Sequence, residues 1–355
     1  MDEKNQFGYR SFFWPIVFIG IGVIMLLANL DILPTPSLRL LFRLWPLALV
    51  VLGLDILVGR RSPVIGALIG LVTVGLVVGL LYLAPTLNLE PTIERKTLNF
   101  NEPFDHATAA RVTLDLDRYA TTIEPLVGSD DLFDAVLETF SDVDFSARGD
   151  SQRTIDLVPV DRGPFNQDWT LGSSNDMTWE IGLSPAVPLD LSVDVGSGSA
   201  RLDLLGLTLS ELRVDGGSGS TELAIPAASS TYPVEVNGGS GHFDIDIEQG
   251  AEIQGSLNAG SGSMNIRIGS GTEMTLAIEG GSGSIEVSLP LDAGVRLVIA
   301  DQGSGGVRVP GDFDLTDDFG DDDRDTGIWE SANYAGAANS IEIRLDPGSG
   351  TFTVR

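Results

Sequence analysis

The tetrad Gly-Ser-Gly-Ser, first seen at Gly196, is the part of this sequence whose residue types could do chemistry. Glycine-rich loops can cradle phosphates, because their backbone N–H groups approach the anion closely. A P-loop requires lysine and then serine or threonine after its last glycine, whereas Ala200 follows this tetrad. A dinucleotide-binding loop opens a helix, whereas strand-like alternation follows here. We therefore interpret the tetrad as a structural turn, in which glycine supplies unusual backbone angles and serine bonds to nearby backbone.

Other catalytic and metal-binding patterns are missing from the sequence. No tetrad serine has the flanking glycines of a nucleophile elbow. His106 and His242 lie on different segments without ligand spacing, and His242, which replaces a tetrad serine, is interpreted as a surface turn residue. The run Asp321–Asp325 lacks the glycine and glutamate of a calcium-binding helix-loop-helix, so we interpret it as a solvated excursion. We predict no enzymatic activity, no cofactor and no metal.

Related tetrads recur at a fixed period. Their first glycines, to which we assign structural roles, are Gly196, Gly217, Gly239, Gly260, Gly281, Gly303 and Gly348. The first six are 21 or 22 residues apart, and the seventh lies 45 residues after the sixth. A repeat in this range indicates stacked structural units.

Each tetrad precedes a strand-like alternation of apolar and polar residues. The third residue after the tetrad is apolar in every regular copy: Leu202, Leu223, Ile245, Ile266, Val287 and Val309. Period-2 alternation is typical of a half-buried strand. We predict a β-solenoid with coils of about 21 residues, regular over 191–310 and closed by the last strands at 340–355. An antiparallel sandwich of hairpins is the alternative.

The region before the regular repeats is less periodic, and we treat 100–355 as one β-domain with an irregular beginning. Within it, "SDDLFDAVLETF" predicts a short helix capped by Ser129 or Asp130.

Three apolar runs open the chain. We predict a tail over 1–11 and a transmembrane region over 12–85 with helices at about 12–30, 38–59 and 63–84, followed by a stalk over 86–99. The third run carries two pairs of glycines four residues apart, at Gly66 and Gly70 and at Gly75 and Gly79, a spacing that packs transmembrane helices. Asp55 is the one acidic residue within the runs, and we expect it to pair with the adjacent arginines at 60 and 61.

The first two apolar runs are copies of each other. Trp14-Pro15 aligns with Trp45-Pro46 at an offset of 31 residues, and Gly22 aligns with Gly53. Tryptophan anchors at a membrane interface, and proline is tolerated at a helix start because its missing N–H has no partner there. Glycine allows two helices to approach closely. We assign structural roles to these six residues.

Charge separates the two parts of the chain. Residues 1–96 carry eight basic and six acidic residues, whereas most of the net charge of -29 lies in the β-domain. Such a body repels nucleic acid, so we exclude that class of partner. The absence of cysteine excludes disulfides, thiolate catalysis and cysteine-ligated metals. The arginines at 60 and 61 form the tightest cluster beside a span, which favours an inside N-terminus and a β-domain outside the cell.

These features together resemble a known family. Trp14-Pro15 and Trp45-Pro46, joined to the stretch from Trp179 to Ser220, are similar to the LiaF-type membrane proteins of bacterial cell-envelope stress systems. Their C-terminal part is a toastrack or adhesin-like β-domain. The resemblance implies a non-enzymatic sensor or modulator that restrains a partner histidine kinase until the envelope is damaged. This chain has three predicted spans, where relatives often have four.

We therefore expect a multi-pass protein in the lipid bilayer of the cell membrane that displays an acidic β-solenoid. We expect it to act in envelope-stress sensing through a sensor kinase or another membrane protein. The first alternative is a membrane-anchored adhesion or self-assembly module, in which homo-oligomers form through open sheet edges. The second is an enzyme on a solenoid scaffold, which would need clustered catalytic groups on one face; the mixed polar columns argue against it.

Overall fold

The computed structural model describes residues 13–29, 45–57, 62–83, 95–160, 177–228, 230–300, 303–319 and 326–355. These residues belong to two compact units, a helical one that ends by residue 94 and a β-unit that begins at Arg95. The predicted tail 1–11, residues 86–94 of the stalk and the acidic run Asp321–Asp325 lie outside the described residues.

The helical unit contains three apolar helices in its described part: α1 (Phe13–Asn29), α2 (Trp45–Leu57) and α3 (Pro63–Leu83). Among the described residues, only Val64–Leu83 of α3 forms a helix long and apolar enough to cross a bilayer, with 20 residues and a mean hydropathy of 2.7. The helices α1 and α2 have 17 and 13 residues. The predicted extension of the second span back to residue 38 lies outside the described part of the chain.

Two glycines bring α1 and α3 together. A Cβ added at Gly20 would lie 2.4 Å from a methyl carbon of Val74, and one at Gly70 would lie 3.3 Å from Cβ of Ile16. Close approach of this kind increases dispersion contacts between membrane helices, where no hydrophobic effect separates protein from lipid. Gly70 belongs to the predicted contact pairs, whereas Gly75 and Gly79 have no described heavy atom within 4 Å of such a Cβ.

The β-unit consists of two sheets. In spatial order, the described strands of the first sheet are β1 (Lys96–Pro103), β4 (Asp131–Thr139), β7 (Thr178–Leu183), β3 (Ala120–Pro125), β9 (Ala200–Asp203), β11 (Ser220–Ile225), β13 (His242–Ile247), β15 (Ser263–Ile268), β17 (Ser284–Ser288), β23 (Thr351–Val354) and β19 (Gly306–Arg308). Those of the second are β20 (Phe313–Asp317), β21 (Gly327–Ser331), β18 (Gly294–Ile299), β22 (Ser340–Asp346), β16 (Glu273–Glu279), β14 (Glu252–Asn258), β12 (Tyr232–Asn237), β10 (Thr208–Gly216), β8 (Pro188–Gly196), β2 (Ala109–Asp115), β6 (Gln152–Pro159) and β5 (Val143–Arg148).

Parallel pairing dominates the middle of both sheets. Leu223 pairs with Ile245, which pairs with Ile266, which pairs with Val287 in successive strands of the first sheet. All four side chains are buried, while the residues between them face outward. Each such side chain contributes roughly 1.5–3 kcal/mol through burial. The apolar positions of both sheets belong to one continuous core cluster, so the prediction of an all-β domain after three helices is confirmed.

The beginning of the β-unit is an antiparallel cap. The helix predicted over 129–140 is wrong, because Asp131–Thr139 forms β4, which pairs antiparallel with β1 and β7. Phe133 and Leu137 are buried at 0% exposure, and Phe133 stacks on Phe145 with ring centroids 5.5 Å apart. In β4 the backbone bonds to a strand on each side, and alternate apolar side chains enter the core. The predicted stalk is wrong in its last four residues, 96–99, which belong to β1.

The final strands do not close the stack, contrary to the sequence-based expectation. Strand β22 lies between β16 and β18, and β23 lies between β17 and β19. After β17 the chain therefore skips one level of the stack and forms β18 to β21 beyond it. It then returns, and β22 and β23 occupy the skipped level. The residues that form these additional strands account for the gap of 45 residues before the seventh tetrad.

Candidate functional site

The seven tetrads stack on one another at one edge of the β-unit, and we call this stack the glycine-serine ladder. In spatial order its first glycines are Gly196, Gly217, Gly239, Gly260, Gly281, Gly348 and Gly303. Each serine that follows them donates its backbone N–H to the carbonyl one level away, at N···O distances of 2.6 to 3.1 Å. Ser197, at the first level, bonds to Asp117 in the turn before β3. The ladder is therefore continuous with the cap.

The ladder needs glycine for two separate reasons. At five of the seven first positions φ lies between +60° and +64°, a region that disfavours other residues. At the other two, Gly217 and Gly281, φ is outside the left-handed region, but an added Cβ would lie 1.6 Å from the carbonyl oxygen of the level below. The third glycines are equally crowded, since a Cβ at Gly283 would lie 1.4 Å from the oxygen of Gly262. The structural role that the sequence suggested for these glycines thus has a steric explanation.

A shallow groove of about 520 Å³ runs along the ladder. It is lined by Ser218, Gly219, Ser220, Ser240, Gly241, His242, Ser261, Gly262, Ser263, Gly283 and Ser284. The lining therefore offers hydroxyl groups, backbone amides and one imidazole, but no carboxylate and no large apolar side chain. That composition differs from the surrounding surface of the β-unit, on which acidic residues predominate.

His242 links two neighbouring side chains in this groove. Its Nδ1 lies 2.7 Å from Oγ of Ser263, and its Nε2 lies 3.1 Å from Oδ2 of Asp244. The positions follow from the fold, because parallel pairing in register sets His242 of β13 beside Ser263 of β15. Asp244 lies two residues further along β13 and faces the same side of the sheet.

Hydrogen bonds keep the carboxylate of Asp244 ionised. The amide of Asn265 donates to Oδ1 at 3.0 Å and is the main reason that the pKa of Asp244 is lowered; His242 and Arg267 add to the effect. An ionised carboxylate can only accept, so the Nε2 atom of His242 must donate to it. In the neutral ring Nδ1 is then an acceptor, and the hydroxyl of Ser263 donates to it. The arrangement is therefore a serine hydroxyl bonded to a base that a carboxylate orients.

Sequence reasoning missed this arrangement, although its signals were present. His242 occupies a tetrad position that is serine in four other copies, and Ser263 is the equivalent residue one level on. Asp244 follows at the strand period. Knowledge of the parallel register would have placed the three together, whereas linear spacing alone separates Ser263 from His242 by 21 residues. The other histidine, His106, lies on an exposed turn elsewhere.

Outward-facing charges pair between levels of the stack. Arg201 contacts Glu222 at 2.5 Å, Arg213 contacts Glu235 at 2.9 Å, and Arg267 contacts Asp246 at 2.5 Å. The partners in each pair are 21 or 22 residues apart. Exposed pairs of this kind contribute little stability, about 0–1 kcal/mol. No group of three or more metal-binding side chains occurs in the described part of the chain.

The membrane-proximal residues that the sequence singled out lie on α1 and α2. Trp14 and Trp45 are exposed, and Pro15 and Pro46 lie in the first turns of these helices, where no intrahelical donor is lost. A Cβ added at Gly22 or Gly53 would meet no heavy atom within 4 Å among the described residues. A contact role for these two glycines stays a prediction. Asp55 is buried at 1% exposure, while the arginines at 60 and 61 lie outside the described residues.

These observations define a class of protein: apolar helices followed by a stack of mostly parallel strands in two sheets, joined at one edge by a glycine-serine ladder. Residues 13–94 match the family described as the LiaF transmembrane domain, and residues 90–246 match the N-terminal domain of toast_rack. The chain belongs to the LiaF-type membrane proteins that carry a toastrack domain.

Among solved structures, the chain is similar to a candidate cell adhesion protein from Clostridium sporogenes. The match has 16% sequence identity and a TM-score of 0.34, and it covers 74% of this chain and 99% of the other. No curated protein matches the chain.

Proposed function

We propose that this protein is a non-enzymatic, multi-pass membrane protein whose acidic β-solenoid senses or modulates the response to cell-envelope stress. The observation that carries the proposal is the join, in one chain, of a LiaF transmembrane domain to a toastrack domain. The close contact of α1 with α3 at Gly20 and Gly70 supports a bundle of several membrane helices rather than one span with two surface helices.

We further propose that the β-unit is a solenoid whose repeating unit is a coil of about 21 residues. The parallel register supports this reading, because Ser263 pairs with His242 on one side and with Ser284 on the other, each 21 residues away. A coil of this kind presents equivalent side chains in straight columns. Columns of alternating charge would suit a protein partner better than nucleic acid, which the net charge of -29 repels.

The partner that we propose is another membrane protein, with a sensor histidine kinase as the first candidate. Recovery of the native protein from membranes under mild detergent should bring down such a kinase. The matched control is a chain with Gly20→Leu, which disrupts the contact between α1 and α3 and should lower recovery of the partner. Recovery of this protein alone from both preparations would refute the signalling role.

We propose that the β-unit faces the outside of the cell. The sequence has no cysteine, so Ser349→Cys at an exposed ladder position gives a single labelling site. A membrane-impermeant maleimide should label this variant in intact cells, and a second variant, Ser282→Cys at another exposed ladder position, should behave in the same way. Labelling that requires lysis for both variants would place the β-unit in the cytoplasm and contradict the proposal.

A structural role in adhesion or self-assembly is the second candidate. Strands β19 and β20 end their sheets in the described residues, and each has a paired neighbour on one side. An exposed strand edge presents unpaired backbone groups that can add another chain. Sedimentation of the detergent-solubilised chain over a range of concentrations would reveal self-association, whereas one sedimenting species throughout would count against it.

A further inference from the structure

The cluster of Ser263, His242 and Asp244 has no role in the function proposed above. The six other ladder levels lack an imidazole, yet their backbones stack in the same way. His242 is therefore unnecessary for the ladder, and its two hydrogen bonds give this level a chemistry that the others lack.

We propose that Ser263 is a nucleophile that small activated carboxylic esters acylate, with His242 as its base. The Oγ of Ser263 lies 2.7 Å from the imidazole atom that would take its proton, within the 2.6–3.2 Å that general-base catalysis requires. Asp244 positions the ring from the other side. The serine is half-exposed in the groove, so an ester in solution can reach it.

The groove also offers donors for the developing oxyanion. Gly262 and Gly283 line the groove, and neither of their backbone N–H groups donates to a backbone carbonyl within the described residues, so we assign these N–H groups to the developing oxyanion. The N–H of Ser263 itself is occupied, since it donates to the carbonyl of Gly241 at 3.1 Å. Because no large apolar side chain lines the groove, it cannot hold a long acyl chain. The acyl donors that fit are small ones, such as acetyl esters.

The reaction is a balanced acyl transfer. A bond forms between Oγ of Ser263 and the carbonyl carbon, while the bond from that carbon to the leaving oxygen breaks. The serine proton passes to Nδ1 of His242 and then to the leaving oxygen, so the products are an acyl-serine ester and an alcohol. We assign no water to a second step, so the modification is stoichiometric, with one acyl group per chain, and it is independent of the proposed sensing function.

The charged groups around His242 favour this role. On β15, Arg267 lies 3.8 Å from Oδ1 of Asp244, and Asn265 bonds to the same oxygen. On β11, Glu222 is already paired with Arg201. Asp244 is therefore the carboxylate that bonds to the ring.

The test is labelling of the full-length, detergent-solubilised chain with a fluorophosphonate and, separately, with p-nitrophenyl acetate, followed by mass spectrometry of the whole chain and its peptides. We expect one adduct per chain on Ser263. General-base assistance is worth roughly 10²–10⁴ in rate, so His242→Ser should lower the rate at least about 10²-fold. This variant restores the serine found in other tetrads and should fold normally. Ser199→Ala, at the same tetrad position of a level outside the groove lining, should leave labelling unchanged.

Asp244→Asn provides a second, independent arm that retains the histidine. It should lower the labelling rate and alter its pH profile, a result that a purely structural role of Asp244 would not produce. If His242→Ser fails to fold by circular dichroism, this variant decides the matter. Equal adducts on Ser220, Ser263 and Ser284, or an unchanged rate in either variant that folds, would overturn the proposal.

Discussion

The carbonyl oxygen of Gly260 occupies the space that a Cβ at position 281 would need, so Gly281→Ala should strain the ladder. The φ angle of Gly281 lies outside the left-handed region, so alanine is not disfavoured by its backbone conformation. The added Cβ would lie 1.6 Å from the oxygen, whereas Cβ atoms essentially never come within 3.0 Å of a heavy atom. The two levels must therefore separate by more than an ångström. The shift of Gly281 would distort the three backbone hydrogen bonds at this position, one from Ser282 to Gly260 and two from Ser349 and Gly350 to Gly281. At about 1 kcal/mol each, the loss is about 3 kcal/mol.

Two other glycines provide matched controls for this prediction. Gly250 has φ of +76° but no heavy atom within 4 Å of an added Cβ, so Gly250→Ala should cost about 1–2 kcal/mol from backbone strain alone. Gly306 has neither constraint, so Gly306→Ala should change stability by less than about 1 kcal/mol. Urea unfolding of the full-length chain in detergent, followed by circular dichroism, would rank the three variants. If Gly281→Ala unfolds at the same urea concentration as Gly306→Ala, the close approach of the Gly260 carbonyl is not what requires glycine at position 281.

Three further predictions concern the core, the cap and the dependence on pH. Ile343 is fully buried on β22, so Ile343→Ala should cost about 2–5 kcal/mol in urea unfolding, whereas Leu291→Ala, at a fully exposed turn, should cost almost nothing. Tyr119 bonds to the hydroxyls of Thr139 and Ser141 at 3.0 Å each, so Tyr119→Phe should lower stability by about 1 kcal/mol, and no change would mean that these bonds are exchanged for water. The pKa of Asp244 is lowered, mainly by a hydrogen bond from an amide, so its stabilisation is present above its unfolded pKa of about 3.9 and is lost as the pH falls through the folded value. Thermal midpoints of wild type and Asp244→Asn should therefore differ at about pH 7, and the difference should shrink as the pH falls below about 3.9; a constant difference would contradict this.

The repeat made the interior of the β-unit predictable. Period-2 alternation after each tetrad identified Leu223, Ile245 and Ile266 as members of one apolar column, and the structure buries all three. The same local reasoning failed for Asp131–Thr139, where apolar residues at mixed spacing were compatible with a helix. Pairing partners on both sides decided the outcome there, and β1 and β7 are remote from β4 in the sequence.

The spatial order of levels could not be read from periodicity. The distance of 45 residues between Gly303 and Gly348 is close to two coils and predicts continued stacking. Instead, β21 pairs antiparallel with β18 on the side away from the open level, and the chain after it returns to insert β22 between β16 and β18. A period reports the length of each unit but not the direction in which the chain moves between units, and only long-range pairing supplies that information.

The steric demands of the ladder explain where this fold can vary. First and third tetrad positions must be glycine because a carbonyl from the neighbouring level occupies the space of a side chain, as at Gly217 and Gly283. Fourth positions have no such contact and accept serine, threonine, glycine or histidine without a change in the backbone ladder. A histidine at position 242 therefore alters the chemistry of one level while leaving its geometry intact. Because register alone sets the neighbours of that residue, new side-chain combinations can arise in this scaffold by single substitutions along a column.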